Sequence, residues 1–244
     1  MCRGSLAYAC DVLYIYIYMC SRCTHTWLRS QYEYKHIACA RLRLYTAGMC
    51  SQIILDLCSG TGNWSQPYKD DGYEVIRVEL KDGQDVRLFP SLPSTEKRPP
   101  SAFEDIRPLI GNVHGILAAP ECTVFSAAGS RWNRSDEEML SGLGLIDACI
   151  RLIHVLKPNW WVLENPKGKI TKWLGDPVHT FNPNYFGDPY TKRTLLWGNF
   201  NMPIPSLETA VGAHQGSLMH TENRKETRSA TPMGFAKAFK EVNP

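Results

Sequence analysis

The stretch Ile53-Ile54-Leu55-Asp56-Leu57-Cys58-Ser59-Gly60-Thr61-Gly62 is the most informative part of this sequence. Its largely apolar first half predicts a short buried strand, and its glycines predict a tight turn into a following helix. Glycines let a ligand approach the backbone, and ligands of open α/β sheets bind at the carboxyl ends of the strands. A dinucleotide fingerprint would have a third glycine at Ser65, so a nicotinamide ligand is disfavoured. A strand–turn–helix that binds nothing remains the alternative.

Strands and helices alternate along the chain after this stretch. The apolar patterns of three more segments predict strands, at residues 73–80, 114–119 and 160–163. Ser135 and Glu138 form a capping-box pattern, apolar residues follow at three- and four-residue steps to Leu156, and Pro158 ends the helix. This alternation predicts an α/β fold with a doubly wound, mostly parallel sheet.

Length and composition limit the possible classes of protein. The chain has 244 residues, enough for one sizeable core, and its 43% hydrophobic and 21% charged residues exclude a disordered or collagen-like chain. The longest apolar run, residues 12–20, is too short to cross a bilayer, so we expect no membrane span. The nine cysteines are an odd number concentrated near the amino terminus, which favours a reducing compartment over a disulfide framework.

The charge of the chain is unevenly distributed. The net charge is +3, from 27 basic and 24 acidic residues. Residues 1–50 hold six of the basic and two of the acidic residues, which leaves residues 51–244 at 21 minus 22, or −1. The larger part of the chain therefore has no general attraction for polyanions, and any contact with nucleic acid there must rest on a local basic patch.

The first 48 residues differ from the rest because they lack helix caps, turn clusters and a clear hydrophobic period. We expect residues 1–48 to be an extension of doubtful structure, either a real appendage or residues upstream of a natural start at Met49. Residues 49–244 are expected to form a single α/β domain. One group of residues in the extension has the spacing of zinc ligands, but chance spacing is the favoured interpretation and no metal is expected: Cys20, Cys23, His36 and Cys39.

Three side chains that can take part in binding or catalysis lie at the end of a predicted strand or just after it. Glu79 ends the second strand and can accept hydrogen bonds from two ribose hydroxyls, so the glycine loop and this acid suit an adenosine ligand. Cys122 follows the third strand, and Glu164 follows the fourth. A buried free cysteine is the commoner role for a lone thiol. A thiol and a carboxylate beside a glycine loop favour an active site instead.

These residues belong to motifs that resemble, in their order, those of the DNA cytosine-5 methyltransferases, and most closely the small forms of phages and prophages. Residues 56–65 resemble the motif that binds S-adenosylmethionine, and residues 119–126 resemble the Pro-Pro-Cys motif. Glu164-Asn165-Pro166 resembles the Glu-Asn-Val motif. Residues 188–198 resemble the arginine-containing motif, and residues 231–237 resemble the closing segment of the phage forms.

The resemblance implies a Rossmann-like methyltransferase that uses S-adenosylmethionine and acts on a cytosine flipped out of DNA. It implies that Cys122 is the nucleophile and that Glu164 binds N3 and the amino group of the ring. Arg193, or Lys192 in the other register of the motif, would be the cation near the target nucleotide. The implied cofactor-binding residues are Asp56, Cys58, Gly60, Gly62, Trp64, Glu79, Asp85, Val86 and Pro120.

The sequence departs from the family pattern at several positions. Glu121 stands where the family has its second proline, and a carboxylate beside Cys122 is expected to raise the pKa of the thiol. Asp105 fits the pattern of an adenine-binding acid as well as Asp85 does, but it follows what looks like an insertion, so Asp85 is preferred. Residues 127–134 are either a mobile loop that closes over the base or an ordinary basic surface loop.

The region that would read a base sequence is short. Only about thirty residues separate Gly198 from Thr231, too few for a module that reaches into the major groove. We therefore expect low sequence specificity or a separate specificity partner, together with a monomer in the cytoplasm of a bacterial host. The alternatives are an RNA cytosine-5 methyltransferase with the same groups, and a catalytically silent relative that binds S-adenosylmethionine or nucleic acid.

Overall fold

The computed structural model describes residues 52–89, 106–126, 133–206 and 229–244. Within these ranges, six strands form one sheet in the order β2-β1-β3-β4-β6-β5. The first four strands along the chain run parallel, whereas β6 is antiparallel to both β4 and β5. The strands are β1 (Ile53–Leu57), β2 (Glu74–Val78), β3 (Val113–Ala118), β4 (Trp160–Pro166), β5 (His179–Phe181) and β6 (Thr194–Asn199).

Helices cover both faces of this sheet, which confirms the doubly wound, mostly parallel α/β prediction. The α-helices of the described ranges are α1 (Gln66–Asp70), α2 (Asp136–Leu156), α3 (Thr171–Leu174) and α4 (Met233–Val242). Short 3-10 turns lie at Leu80–Asp82, Val86–Leu88, Arg107–Leu109 and Pro183–Phe186.

The residues of β1 explain the two-layered core. All five are buried, and their side chains alternate between the two faces as they must in a strand. Ile53, Leu55 and Leu57 join a cluster that includes the buried face of α2. Ile54 joins a second cluster on the other face, with the aromatic side chains of α1 and α4. Strand β1 is therefore buried on both of its faces.

Helix α2 begins where its capping box predicts. The Glu138 backbone N–H donates to Ser135 Oγ at 3.2 Å, and the Ser135 N–H donates to Glu138 Oε2 at 3.0 Å. By length and composition alone, α2 is also long and apolar enough to cross a membrane, whereas the apolar run at residues 12–20 is too short to do so. Its buried residues pack against the sheet, as those of a core helix do, and a core helix of a soluble protein passes the same test.

Several sequence predictions lie outside the described residues. These are the nature of residues 1–48 with their cysteine and histidine pattern, the alternative acid Asp105, and most of the loop 127–134. Most of the short region between Gly198 and Thr231 lies outside them as well. The division of the chain at residues 48 and 49 stays a prediction.

Candidate active site

The glycine loop after β1 leaves its backbone open to a ligand. Gly60 and Gly62 have φ values of +53° and +79°, in the left-handed region where only glycine is unstrained. Among the described residues, apart from Gly60 and its two chain neighbours, no atom lies within 4 Å of the place where a Cβ on Gly60 would be. The Gly60 N–H donates to Glu79 Oε2 at 2.8 Å. The loop and the acid that follows β2 therefore meet at the carboxyl edge of the sheet. These features fit an adenosine ligand.

An apolar side chain that sequence reasoning missed stands beside this acid. Leu80 follows Glu79 directly and is 63% exposed, although it is a large aliphatic residue. An exposed leucine next to a carboxylate that can bind a ribose offers a surface for the face of an adenine ring. The only sequence signal for it was its position one residue after the predicted acid.

Two residues of the predicted cofactor motif lie below the loop. Asp56 is buried, and its carboxylate accepts a hydrogen bond from Ser65 Oγ at 2.5 Å. Burial raises the pKa of Asp56 to about 7, against the lowering effect of the Ser65 hydrogen bond. Trp64 is also buried, and its ring contacts Phe235 and Phe239. Both side chains support the loop from inside the protein.

Asp85 and Val86 form the next part of the same edge. The Asp85 carboxylate accepts a hydrogen bond from the Arg87 N–H at 2.9 Å and pairs with the Arg87 guanidinium at 2.6 Å. Val86 is buried in the core. Cys58 is half-buried on the first residue after β1 and lies within electrostatic range of Arg87. Of the predicted cofactor-binding residues, Gly60 is part of the glycine loop, and Cys58, Glu79 and Asp85 lie near it.

Cys122 lies on a turn immediately beyond β3. Its carbonyl oxygen accepts hydrogen bonds from the N–H groups of Phe125 and Ser126, at 3.0 and 2.8 Å. The side chain is half-buried, and Pro120 before it is buried. The thiol is thus held on a defined turn at the same edge of the sheet as the glycine loop.

Glu164 and Lys192 form an ion pair near Cys122. The Lys192 Nζ and Glu164 Oε1 atoms are 3.8 Å apart, and the two side chains are only 21% and 11% exposed. Lys192 precedes β6, whose antiparallel pairing with β4 brings the start of β6 beside the end of β4. The Arg193 side chain is exposed to solvent, so the cation next to Glu164 is Lys192.

The pKa of Cys122 is raised above its ordinary value. Burial is the largest cause, followed by the negative charge of Glu164, while Lys192 acts in the opposite direction. Glu121 raises the pKa as the sequence predicted, but it is the smallest of the causes. Its carboxylate is exposed and accepts a hydrogen bond from Thr123 Oγ1 at 2.6 Å. Solvent and this hydrogen bond weaken its effect on the thiol.

Asn165 is a buried polar residue that the sequence analysis did not assign to the site. Its side-chain amide donates to the carbonyl oxygen of Pro120 at 3.0 Å, across 45 residues of sequence. It therefore braces the backbone two residues before Cys122. Its place in the Glu-Asn-Pro motif was the signal that could have identified it.

Among the described residues, no group of three or more His, Cys, Asp or Glu side chains could hold a metal ion.

A solved structure described as a DNA modification methyltransferase encoded within an E. coli prophage is 20% identical, with a TM-score of 0.40. The match covers 64% of this chain and 51% of that one, so the chain spans about half of that protein. Comparison with curated proteins gave no match. A family model of the C-5 cytosine-specific DNA methylases matches residues 53–182, more than half of the chain. The chain belongs to the C-5 cytosine-specific DNA methylase family.

Proposed function

We propose that this chain transfers a methyl group from S-adenosylmethionine to carbon 5 of cytosine in DNA, through a transient bond between Cys122 and the ring. The observation that carries the proposal is that one half-buried thiol, Cys122, lies within electrostatic range of the paired Glu164 and Lys192. All three side chains stand at the edge of the sheet that also bears the glycine loop. Family membership supports the same activity.

Cys122 acts as the nucleophile in this proposal. Its thiolate sulfur forms a bond to carbon 6 of the cytosine, and the electron pair of the 5,6 double bond makes carbon 5 nucleophilic. Carbon 5 then takes the methyl group, whose bond to the sulfonium breaks and leaves a neutral thioether. A base removes the carbon 5 proton, and the electrons of that C–H bond expel the Cys122 sulfur. The thiolate is restored, so the cycle balances.

Glu164 and Lys192 control the charge during these steps. Glu164 accepts a hydrogen bond from the amino group of the ring and one from a proton held between its carboxylate and N3, and this proton neutralises the negative charge that develops on the ring when sulfur adds. Lys192 partly neutralises Glu164 and favours the thiolate of Cys122. The half-buried position of this ion pair makes both effects stronger than they would be in open solvent.

The glycine loop, Glu79, Leu80 and Asp85 would hold the cofactor. S-adenosylmethionine supplies an electrophilic methyl group on a sulfonium when it is bound. The Glu79 carboxylate would accept hydrogen bonds from the ribose hydroxyls, and the exposed Leu80 side chain would pack on the adenine. The open space over Gly60 allows close approach to the backbone. Buried Asp56 keeps the loop in place through Ser65.

Covalent trapping on duplex DNA that contains 5-fluorocytosine tests the proposal. Fluorine at carbon 5 cannot leave as a cation, so the enzyme remains bonded to the ring after methyl transfer. We expect a complex that is stable in denaturing gels, requires S-adenosylmethionine, and is lost in Cys122→Ser. The Cys149→Ser variant, which changes a buried cysteine on α2, is the matched control and should still trap. Absence of a complex with the unmodified chain would contradict the proposal.

A catalytically silent relative is the second candidate function. The raised pKa of Cys122 favours it, because less thiolate is present at neutral pH. The two candidates differ in one result: a silent relative would bind S-adenosylmethionine and DNA without forming the trapped complex at any pH.

We propose that the enzyme works as a monomer on the DNA of a bacterial cytoplasm, with low sequence specificity or with specificity supplied by another chain. Bisulfite sequencing of a plasmid after methylation measures this. Methylation restricted to one long sequence by the chain alone would contradict it.

A further inference from the structure

A cluster of exposed lysines lies directly after the end of β4. Lys167, Lys169 and Lys172 are all exposed, and we call these three residues the basic rim. The sequence from Asn165 to Gly175 contains no acidic residue. Within the part of the chain that the structure describes, none of the three is within ion-pair distance of a carboxylate. These positive charges are therefore not neutralised by neighbouring described residues.

The basic rim is fixed to the turn that carries Cys122. The Lys169 N–H donates to the carbonyl oxygen of Phe125 at 2.7 Å, and Gly168 pairs with Ser126 in an isolated β-bridge. Phe125 and Ser126 are the same residues whose N–H groups bind the Cys122 carbonyl oxygen. Two hydrogen-bonded steps thus connect the rim to the nucleophile.

Two further contacts hold the ends of the basic rim. The Lys167 N–H donates to the Arg193 carbonyl oxygen at 3.0 Å, next to the residue that pairs with Glu164. At the other end, the Trp173 ring contacts the buried Phe125 ring with centroids 5.5 Å apart. The backbone that carries the three lysines is thereby held near both of its ends.

The charge distribution of the chain makes this cluster distinctive. Residues 51–244 carry a net charge of −1, so they have no general positive field. Three uncompensated lysines within six residues, beside the nucleophile, are the local patch that binding to a polyanion requires. Lysine is a point charge on a flexible stem, so it suits the phosphates of a backbone better than the edges of bases.

We infer that the basic rim binds phosphates of duplex DNA on either side of the cytosine that enters the site. This inference rests on the proposed function and adds which residues hold the substrate. Because phosphate contacts carry no sequence information, the rim would position the duplex without selecting a base sequence. It also accounts for binding by a chain with a short recognition region.

The experiment compares a triple variant with a matched triple control. In the rim variant, Lys167, Lys169 and Lys172 are changed to Gln. In the control, three exposed lysines elsewhere are changed to Gln: Lys69, Lys157 and Lys237. Lys69 and Lys157 precede β2 and β4, at the opposite edge of the sheet from Cys122. Both variants lose the same net charge, so a difference between them reports position.

Affinity for a fluorescein-labelled duplex is measured by anisotropy without S-adenosylmethionine, over a range of salt concentrations. We expect the rim variant to bind about tenfold more weakly or worse, and its slope of log affinity against log salt to be smaller by about 2 to 3, since each phosphate contact contributes about 0.9. The control should stay within about twofold of the unmodified chain. Affinity for S-adenosylmethionine should be unchanged in the rim variant, and its trapping should need a higher DNA concentration to reach half of its maximum.

The outcomes separate this inference from the proposed function. Equal affinity and salt slope in the rim variant and the unmodified chain would overturn the inference, while trapping would still test catalysis. Equal losses in the rim and control variants would also overturn it, because net charge alone would then explain binding. Tighter binding to single-stranded RNA than to duplex DNA, lost in the rim variant, would overturn the choice of duplex DNA as the ligand.

Discussion

The charges around Cys122 decide how reactive its thiol is. Burial and Glu164 raise its pKa, and Lys192 is the described cation that lowers it. In the proposed function the carboxylate of Glu164 binds the ring that Cys122 attacks, so the two groups must be close and the unfavourable effect of the carboxylate on the thiolate is unavoidable. A half-buried lysine paired with that carboxylate reduces the effect while it leaves the carboxylate in place.

Replacing Lys192 with methionine tests this balance. Without the ammonium the pKa of Cys122 rises further, so less thiolate is present at neutral pH. We expect the alkaline-rising limb of the single-turnover pH profile to move to higher pH by about one unit. Arg193→Met is the matched control and should leave that limb in place. Equal shifts in the two variants would contradict the role of Lys192.

The raised pKa of Asp56, which supports the glycine loop, makes the stability of the fold depend on pH. The pKa of Asp56 is about 7 in the folded chain and about 4 when it is unfolded, so the unfolded state loses its proton first as the pH rises. The wild-type chain therefore loses stability from this group between about pH 4 and pH 7, by up to about 4 kcal/mol in total. Below pH 4 the group contributes no such penalty.

The Asp56→Asn variant removes this titration. We expect its free energy of unfolding, relative to wild type, to increase as the pH rises towards 7 and to become constant above about pH 8. Urea unfolding at several pH values measures the difference. Asp70→Asn changes an exposed carboxylate and should give a difference that is nearly independent of pH. A flat difference for Asp56→Asn would refute the raised pKa.

At the scale of elements, the end of β4 and the segment that follows it determine the position of the Cys122 turn. Asn165 binds the Pro120 carbonyl oxygen, and Lys169 binds the Phe125 carbonyl oxygen. Gly168 lies so close to this turn that a Cβ on it would be 2.0 Å from the Phe125 carbonyl oxygen. A side chain of any size at this position must move one of the two backbones.

Gly168→Ala should therefore damage the site. We expect the rate of trapping to fall about tenfold or more, and the stability to fall by about 1 to 3 kcal/mol, because the clash is with backbone atoms. Gly144→Ala on α2 is the control, since its nearest atom is Arg87 Cδ at 3.8 Å. It should keep full activity and gain up to about 1 kcal/mol from better helix propensity. Equal behaviour of the two variants would contradict this account.

At the scale of the whole molecule, the carboxyl-terminal helix α4 completes the second face of the sheet. Phe235 is buried, stacks on Phe181 with ring centroids 3.8 Å apart, and contacts Trp64 below the glycine loop. The Tyr68 hydroxyl of α1 also donates to the Asn243 carbonyl oxygen at 2.8 Å. The last residues of the chain thus support the elements that follow β1.

Phe235→Ala removes the centre of this aromatic cluster. We expect a loss of about 3 to 5 kcal/mol in the free energy of unfolding, because a large ring leaves a cavity that neighbours fill only in part. Affinity for S-adenosylmethionine should fall as well, since Trp64 loses its packing partner. Phe235→Leu should lose much less of both, and calorimetry with ligand titration measures them. A loss below about 1 kcal/mol would show that α4 is not part of the core.

The order of elements could be read from the sequence because local patterns carry it. Alternating apolar strands, the Ser135–Glu138 capping box and the glycines after β1 act over a few residues, and the structure has each element close to its predicted place. The antiparallel β6 was not predicted as a strand, although four of its six residues are buried. Its direction depends on its pairing with β4, which local patterns do not record.

The sequence by itself determined the fold class and the thiol, the acids and the glycine loop at the ends of strands, because parallel strands bring their carboxyl ends to one edge. Only the tertiary structure decided that Lys192 pairs with Glu164, that Asn165 braces the Cys122 turn, that Trp64 lies in the core and that the backbone of Lys169 is hydrogen-bonded to the Cys122 turn. Each of these depends on contacts between residues far apart in the chain. Such contacts exist only after the sheet has assembled and its two faces are covered.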